Sequence, residues 1–395
     1  MSIYDRLGVR TIINAKGPST RLSGGFLHPD VSAAMTEAGS YCVDMAELHA
    51  AASKVIAEVT GAEAGIVTSG AAAGLLLGTA ACITGLDAGK MGRLPDTRGM
   101  KNEVLMVRSQ RNFYDHAVRT AGAHIIEVGL PDRYAGAGVR DAEAWEIADA
   151  MSPQTAAVVY IANAGAQPPL SDVVRVAHAA SVPVIVDAAG QLPPAANLRR
   201  FIGEGAELVT FSGGKAIGGP QGSGILAGKR DLIMSALLQH LDLDIYWEQW
   251  NPPDSLIDKH RLMGTPQHGV GRPCKVGKET VVGLLVALQR FASESDESRA
   301  RRFQGLMQRL QASLAGIENA RIQITGGLVP KLELQLAREA PRTALELCVE
   351  LERGNPSVHV DPSRVRSGIV SFSPWCLRDE DPERIAARVK PLLRS

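Results

Sequence analysis

The sequence predicts an α/β fold: a large domain on a mostly parallel, seven-stranded sheet, followed by a small α+β C-terminal domain. The spacing of apolar residues carries that expectation. Over the first two thirds of the chain, seven short β-rich runs alternate with helical patterns. Most of those runs are continuously apolar rather than alternating, as in strands covered on both faces by helices. Beyond them the order changes to a long helical pattern, then short strands and two helices. At 395 residues the chain has room for one large and one small domain.

Taken in order, residues 1–20 read as an N-terminal arm, 21–272 as the large domain and 273–395 as the small one. The opening Met1-Ser2-Ile3-Tyr4-Asp5-Arg6 has no basic stretch followed by an apolar run, so no signal peptide is expected. The expected strands are Gly65–Thr68, Val104–Val107, His124–Val128, Ala156–Ile161, Val182–Asp187, Leu208–Phe211 and Gly224–Ala227. Helical stretches lie between them, among them Ala142–Met151 and Ser171–Ala180, the second with Ser171 and Asp172 as its expected cap and first turn. Met91–Asn102 reads as an exposed loop, and Asn251–Pro273 as a long loop with functional potential. A helical pattern then runs from Val276 to about Leu314, with Val281, Leu284, Leu285, Leu288 and Phe291 at 3–4 spacing. The last part places strands near Ile322–Thr325, Lys331–Leu336, Val358–Val360 and Gly368–Phe372, and helices near Arg342–Glu352 and Pro382–Leu393.

Composition narrows the function. Lys+Arg and Asp+Glu both number 42, so the charge balance gives no reason to expect a nucleic-acid or membrane partner. The apolar stretch Ala71–Ile83 is too short to span a bilayer. The five cysteines are scattered, with no CxxC pair, which points to neither a metal site nor a disulfide framework and fits a reducing cytoplasm.

Three segments carry chemistry. Phe211-Ser212-Gly213-Gly214-Lys215-Ala216-Ile217-Gly218-Gly219-Pro220-Gln221-Gly222 places one lysine among small residues directly after an apolar strand. A neutral amine is what attacks an aldehyde, and partial exclusion of water favours that form. The glycines allow a sharp turn and leave room for a flat cofactor. The plain alternative is a Gly-rich turn with a solvated lysine. Thr68-Ser69-Gly70-Ala71 follows a strand and opens a helix, where free N–H groups suit an anion; a Ser-Gly helix start over a buried Ala-rich helix is the alternative. Asp187 ends the strand Val184-Ile185-Val186-Asp187, at the sheet end where ligands bind in open α/β folds. A carboxylate there pairs with a protonated pyridine nitrogen, or simply caps the next helix. No GxxxxGK[ST] and no strand–GxGxxG–helix unit occurs, which disfavours nucleotide triphosphates and dinucleotide oxidoreductases.

An anion anchor, a pyridinium partner and a reactive amine, in that order, are what pyridoxal 5′-phosphate (PLP) requires. Here the chain resembles the fold-type I PLP-dependent enzymes. It looks most like the group containing selenocysteine synthase (seryl-tRNA selenium transferase) and D-glucosaminate-6-phosphate ammonia-lyase. The residues that carry the resemblance are Ser212–Lys215 with Gly218–Gln221, Thr68–Ala73, Ile13–Gly17, and Gly271-Arg272 with Lys275–Glu279. It runs from about Tyr4 to Val389. The resemblance implies Lys215 as the Schiff-base lysine and proton-transfer base, and Asp187 as partner of the pyridine nitrogen. It implies Ser69, Gly70, Ala71 and Ser212 as phosphate ligands. A ring-stacking residue is expected in Arg108–His116, His116 first and Gln110 second, with a surface or capping histidine as the alternative. Sites in this fold form at a dimer interface, so a homodimer or larger homo-oligomer is expected. Arg272, with Lys275 and Lys278, is a candidate for a neighbour's phosphate or substrate, or a basic helix start on a solvated face. A substrate carboxylate calls for an arginine, and Arg21, Arg364 and Arg366 stand open for that role.

The expected activity is a PLP-dependent lyase. It would eliminate the β-hydroxyl of a small polar or sugar amino acid and release a 2-oxo acid and ammonia. A racemase or aldolase is the closest alternative. Selenium transfer to seryl-tRNA is less favoured, because the chain enters its core almost at once and carries balanced charge. A non-catalytic PLP-binding protein is disfavoured by the presence of both Lys215 and Asp187.

Overall fold

The computed structural model describes residues 2–130 and 141–394. The chain forms two compact units, one from Leu27 to Ala292, the other from residues up to Phe26 together with those from Ser293 onward. The expected boundary after residue 272 is thus found twenty residues later, and the N-terminal arm is part of the small unit. The reason is strand pairing: β1 (Ile12–Ala15) lies parallel to β11 (Ser357–Val360), with Ile13 opposite Val358. Local pattern cannot reveal a partner so far along the chain.

In the large unit, β2 (Ala64–Thr68), β3 (Glu103–Val107), β4 (His124–Val128), β5 (Thr155–Ile161), β6 (Val184–Asp187), β7 (Leu208–Ser212) and β8 (Gly224–Gly228) form one sheet in the order β2-β8-β7-β6-β5-β3-β4. β8 runs antiparallel to both neighbours, and the pairings among β3 to β7 are parallel. The link from Ser212 to Gly224 is too short for a crossover helix, so β8 returns as a hairpin strand. Alternate residues feed two cores. Val67, Val158, Val186, Val209 and Phe211 pack with helices Leu170–Ala179, Asn197–Gly203 and Lys278–Ser293. Ile66, Val159, Ile185 and Leu208 pack with helices Ala71–Thr84 and Arg230–Leu238. Burial on both faces explains the continuous apolar runs.

Several local expectations change. The pattern from Val276 to Leu314 is two helices, Lys278–Ser293 and Asp296–Ser313; Ser295 is extended between them and its Oγ accepts from Ser298 N at 3.1 Å, starting the second. Ser171 is not a cap: the helix begins at Leu170 after Pro169. The Met91–Asn102 segment is not simply an exposed loop, since Met91 ends up in helix Ala88–Arg93 and Met91, Thr97 and Met100 are buried.

The small unit has its own core, from Ile13, Leu310, Leu334, Leu347, Val370 and Ile385 among others. β9 (Ala320–Ile324), β10 (Leu332–Leu336) and β12 (Ile369–Phe372) make an antiparallel sheet in the order β12-β10-β9. The Arg10 guanidinium donates to the carbonyls of Glu352, Arg353 and Gly354 and so closes the C-terminal end of helix Ala344–Arg353.

Candidate active site

Three segments of the large unit meet at the carboxyl edge of its sheet. β6 and β7 are adjacent and parallel, with Asp187 opposite Thr210, so the turn after β7 leaves beside Asp187. β2 also ends on this edge: Thr68 and Ser212 both lie opposite Gly224 of β8. Ser69–Ala71, Asp187 and Ser212–Lys215 therefore follow strands that end side by side, where open α/β sheets bind ligands.

The turn around Lys215 is tightly built. Gly213 N donates to Ser223 O at 2.9 Å, Gly219 N to Gly213 O at 2.9 Å, and Gly218 N to Lys215 O at 3.0 Å. A Cβ on Gly214 would lie 2.6 Å from Gln221 Cα, and one on Gly213 2.5 Å from Leu284 Cδ1, so both positions need glycine. Helix Lys278–Ser293 thus backs the turn through Leu284. Lys215 is half-buried, and no hydrogen bond or ion pair engages its side chain among the described residues.

Asp187 is buried, with 8% of its surface exposed. Its Oδ1 accepts from Ala189 N at 2.9 Å, while Oδ2 takes no hydrogen bond among the described residues. Burial pushes its carboxyl above the usual range, and the Ala189 N–H and the charge of Lys215 pull it partly back.

At the third segment, Gly70 has φ 128°, a conformation that favours glycine, and directly precedes helix Ala71–Thr84 with no side-chain cap. The first N–H groups of that helix therefore have no partner within it. The hydroxyls of Ser69 and Ser212 are also unengaged among the described residues. A Cβ on Gly224 would lie 2.7 Å from Ala71 N, so bare backbone at β8 lets the helix start settle on the sheet.

His116 is exposed on helix Asp115–Thr120 with its Nδ1 3.1 Å from an Arg119 nitrogen. Gln110 is buried and uses both ends of its amide on backbone: Nε2 donates to Gln167 O at 3.1 Å and Oε1 accepts from Ile161 N at 2.9 Å. That makes it a strut between loops. Arg272 is half-buried and bonded to Asp242 at 2.8 Å. In the small unit, Arg21 lies 3.5 Å from both Glu352 and His359, and Arg364 is paired with the buried Glu333. Arg366 is exposed with no ion pair among the described residues. Thr210 was not singled out from sequence, although a lone hydroxyl inside the apolar run Leu208–Phe211 is a visible signal.

Among the described residues no helix is long and apolar enough to cross a membrane. No group of three or more His, Cys, Asp or Glu is arranged to hold a metal ion among them.

Comparison with known proteins shows the fold and the family. A solved structure of D-glucosaminate-6-phosphate ammonia-lyase superimposes with a TM-score of 0.81 at 26% identity, covering 100% of this chain and 98% of that one. The 5′-C-glycyluridine monooxygenase-decarboxylase of a Streptomyces species is 30% identical over 99% of this chain and 92% of its own length. The D-glucosaminate-6-phosphate ammonia lyase of Salmonella typhimurium is 27% identical over 99% of this chain and 98% of its own. Fold and relatives together define a fold-type I enzyme of the PLP-dependent class. Residues 43–243 match the family described as SelA, L-seryl-tRNA selenium transferase, and the chain belongs to that family. Membership implies PLP as the cofactor.

Proposed function

We propose that this protein is a PLP-dependent lyase that removes the β-hydroxyl of a small polar or sugar amino acid and releases a 2-oxo acid and ammonia. The observation that carries the reading is a buried Asp187 at the end of β6, beside the turn after β7 that carries Lys215, whose amine is unengaged among the described residues. The residues present fit the cofactor. Asp187 Oδ2 is free to face a protonated pyridine nitrogen. The helix start at Ala71, with the hydroxyls of Ser69 and Ser212, suits a phosphate. Lys215 supplies the amine that binds the aldehyde. When bound, PLP supplies an electron sink for the bond broken at the substrate α-carbon.

The chain's own groups do the proton work. Lys215 Nζ takes the α-proton as base and returns a proton to the departing hydroxyl as acid. Asp187 Oδ2 would pair with the pyridine nitrogen and favour its protonated form. Water lost with the hydroxyl is regained as the released enamine hydrolyses, so the substrate is converted to a 2-oxo acid plus ammonia with no net oxidation. The ammonia-lyase relatives support this choice. We place the working site at the interface of a homodimer or larger assembly, with one of Arg21, Arg272, Arg364 and Arg366 binding the substrate carboxylate. Arg366 is the one of the four that carries no ion pair among the described residues.

The Streptomyces relative favours a second reading, oxygen-dependent decarboxylation of an amino acid. Products separate the two. The PLP-loaded enzyme, given D- and L-β-hydroxy amino acids and sugar amino acids, should release ammonia and 2-oxo acid in equal amounts, with or without oxygen. Oxygen uptake with release of carbon dioxide would select the second reading. Loss of optical activity with no ammonia would select a racemase.

A further inference from the structure

Thr210 lies where the three site segments meet, and its hydroxyl has a task beyond filling the core. It is fully buried in β7, opposite Asp187, on the sheet face covered by helix Ala71–Thr84. Its Oγ1 donates to Ile225 O at 2.9 Å, and Ala71 O lies 3.3 Å away. Ala71 is the first residue of the helix. A Cβ on Gly74, one turn along, would lie 2.3 Å from Thr210 Oγ1, so the first turn rests directly on this hydroxyl. The Thr210 carbonyl also accepts from Ala188 N at 3.0 Å, tying the backbone after Asp187 to the same residue. Five positions further along its own segment is Lys215.

We propose that Thr210 is a positioning residue for the phosphate end of the cofactor: its hydroxyl sets the height of the Ala71–Thr84 helix start above the sheet. The inference rests on the cofactor reading above. Valine has nearly the shape of threonine but puts a methyl in place of Oγ1, 3.3 Å from Ala71 O and 2.9 Å from Ile225 O. A methyl cannot donate to Ala71 O and needs more room under the helix's first turn, so the helix start lifts off the sheet. Asp187 ends β6 and Lys215 follows β7, and the backbone pairing of those strands does not use the Thr210 side chain.

The test uses two aldehydes that differ only in the phosphate. Apoprotein would be titrated with PLP and with pyridoxal, following the visible band of the lysine-bound aldehyde. In Thr210→Val, PLP binding should weaken about tenfold, the worth of one hydrogen bond, while pyridoxal binding stays at its wild-type level. Thr210→Ser keeps the hydroxyl and should restore PLP binding to within about twofold of wild type. Equal weakening of both aldehydes would mean a purely structural role and overturn the inference. So would unchanged PLP binding in Thr210→Val, or failure of the serine variant to rescue. A wild-type protein that forms no band with PLP would remove the cofactor reading itself, and this inference with it.

Discussion

Gly74→Ala sets two effects against each other at the helix that begins the site. Replacing a helix-interior glycine with alanine stabilises by about 1 kcal/mol when the new methyl meets nothing. At Gly74 the new Cβ lies 2.3 Å from Thr210 Oγ1 and 3.0 Å from Thr210 Cβ, whereas ordinary contact begins at 3.4 Å. The helix or the strand must therefore move by about 1 Å, and Thr210 is β-branched, buried and held between paired strands. Overpacking of this kind costs about 1–3 kcal/mol, and losing the hydroxyl's bond costs about 1 more. The clash wins, and the variant should be less stable by roughly 1–3 kcal/mol. Gly305 is the control. It lies inside helix Asp296–Ser313 with nothing within 4 Å of its would-be Cβ, so Gly305→Ala should gain up to about 1 kcal/mol. Urea unfolding of the apoprotein measures both. The double variant Gly74→Ala with Thr210→Ala should recover at least about 1 kcal/mol relative to additivity. A stable Gly74→Ala variant, or strictly additive losses in that cycle, would refute the packing argument.

Other expectations follow from buried ionisable groups. His49 is buried edge-on to His240 at 5.8 Å between ring centroids, and burial, then His240, pushes its pKa down to about 3. The unfolded chain binds that proton near pH 6.5 and the folded protein only near pH 3, so stability should be full above pH 6.5 and fall with pH across that window. One proton corresponds to a slope of at most about 1.4 kcal/mol per pH unit; His49→Gln should flatten the urea-stability profile by that amount, and an unchanged slope would remove His49 as its cause. Asp187 has its carboxyl raised by burial, so its favourable contribution is present at acid pH and lost as pH rises through the folded value. Asp187→Asn should accordingly raise the melting temperature of the apoprotein at neutral pH while crippling exchange of the substrate α-proton. A lower melting temperature, or full exchange, would contradict that assignment. Leu284→Ala leaves the Lys215 turn without its backing, and should cost about 2–5 kcal/mol and weaken PLP binding; equal stability would show that the turn holds itself.

Much of the large unit could be read from the chain because its strands are buried on both faces. Val184-Ile185-Val186 and Leu208-Val209 are apolar without alternation, and both lie in the sheet interior. The mostly parallel direction was legible from those runs, but the antiparallel return of Gly224–Gly228 was not. The pairing of Ile12–Ala15 with Ser357–Val360 had no local signature, and neither did the unit boundary that follows from it. In the site, residues at strand ends were the readable part: Ser69, Asp187 and Lys215 each follow an apolar run and each stands on the carboxyl edge. Side chains whose role depends on distant partners were not readable. Gln110 spends its amide on two backbone groups, and Arg364 is taken up by Glu333, for reasons that exist only once the chain has folded.

The decisive experiment is borohydride reduction of the PLP-treated protein, followed by mapping of the labelled peptide. The pyridoxyl group should be found on Lys215, with Lys215→Ala showing neither label nor visible band. A label on another lysine, or a band that survives in Lys215→Ala, would contradict the assignment of this site.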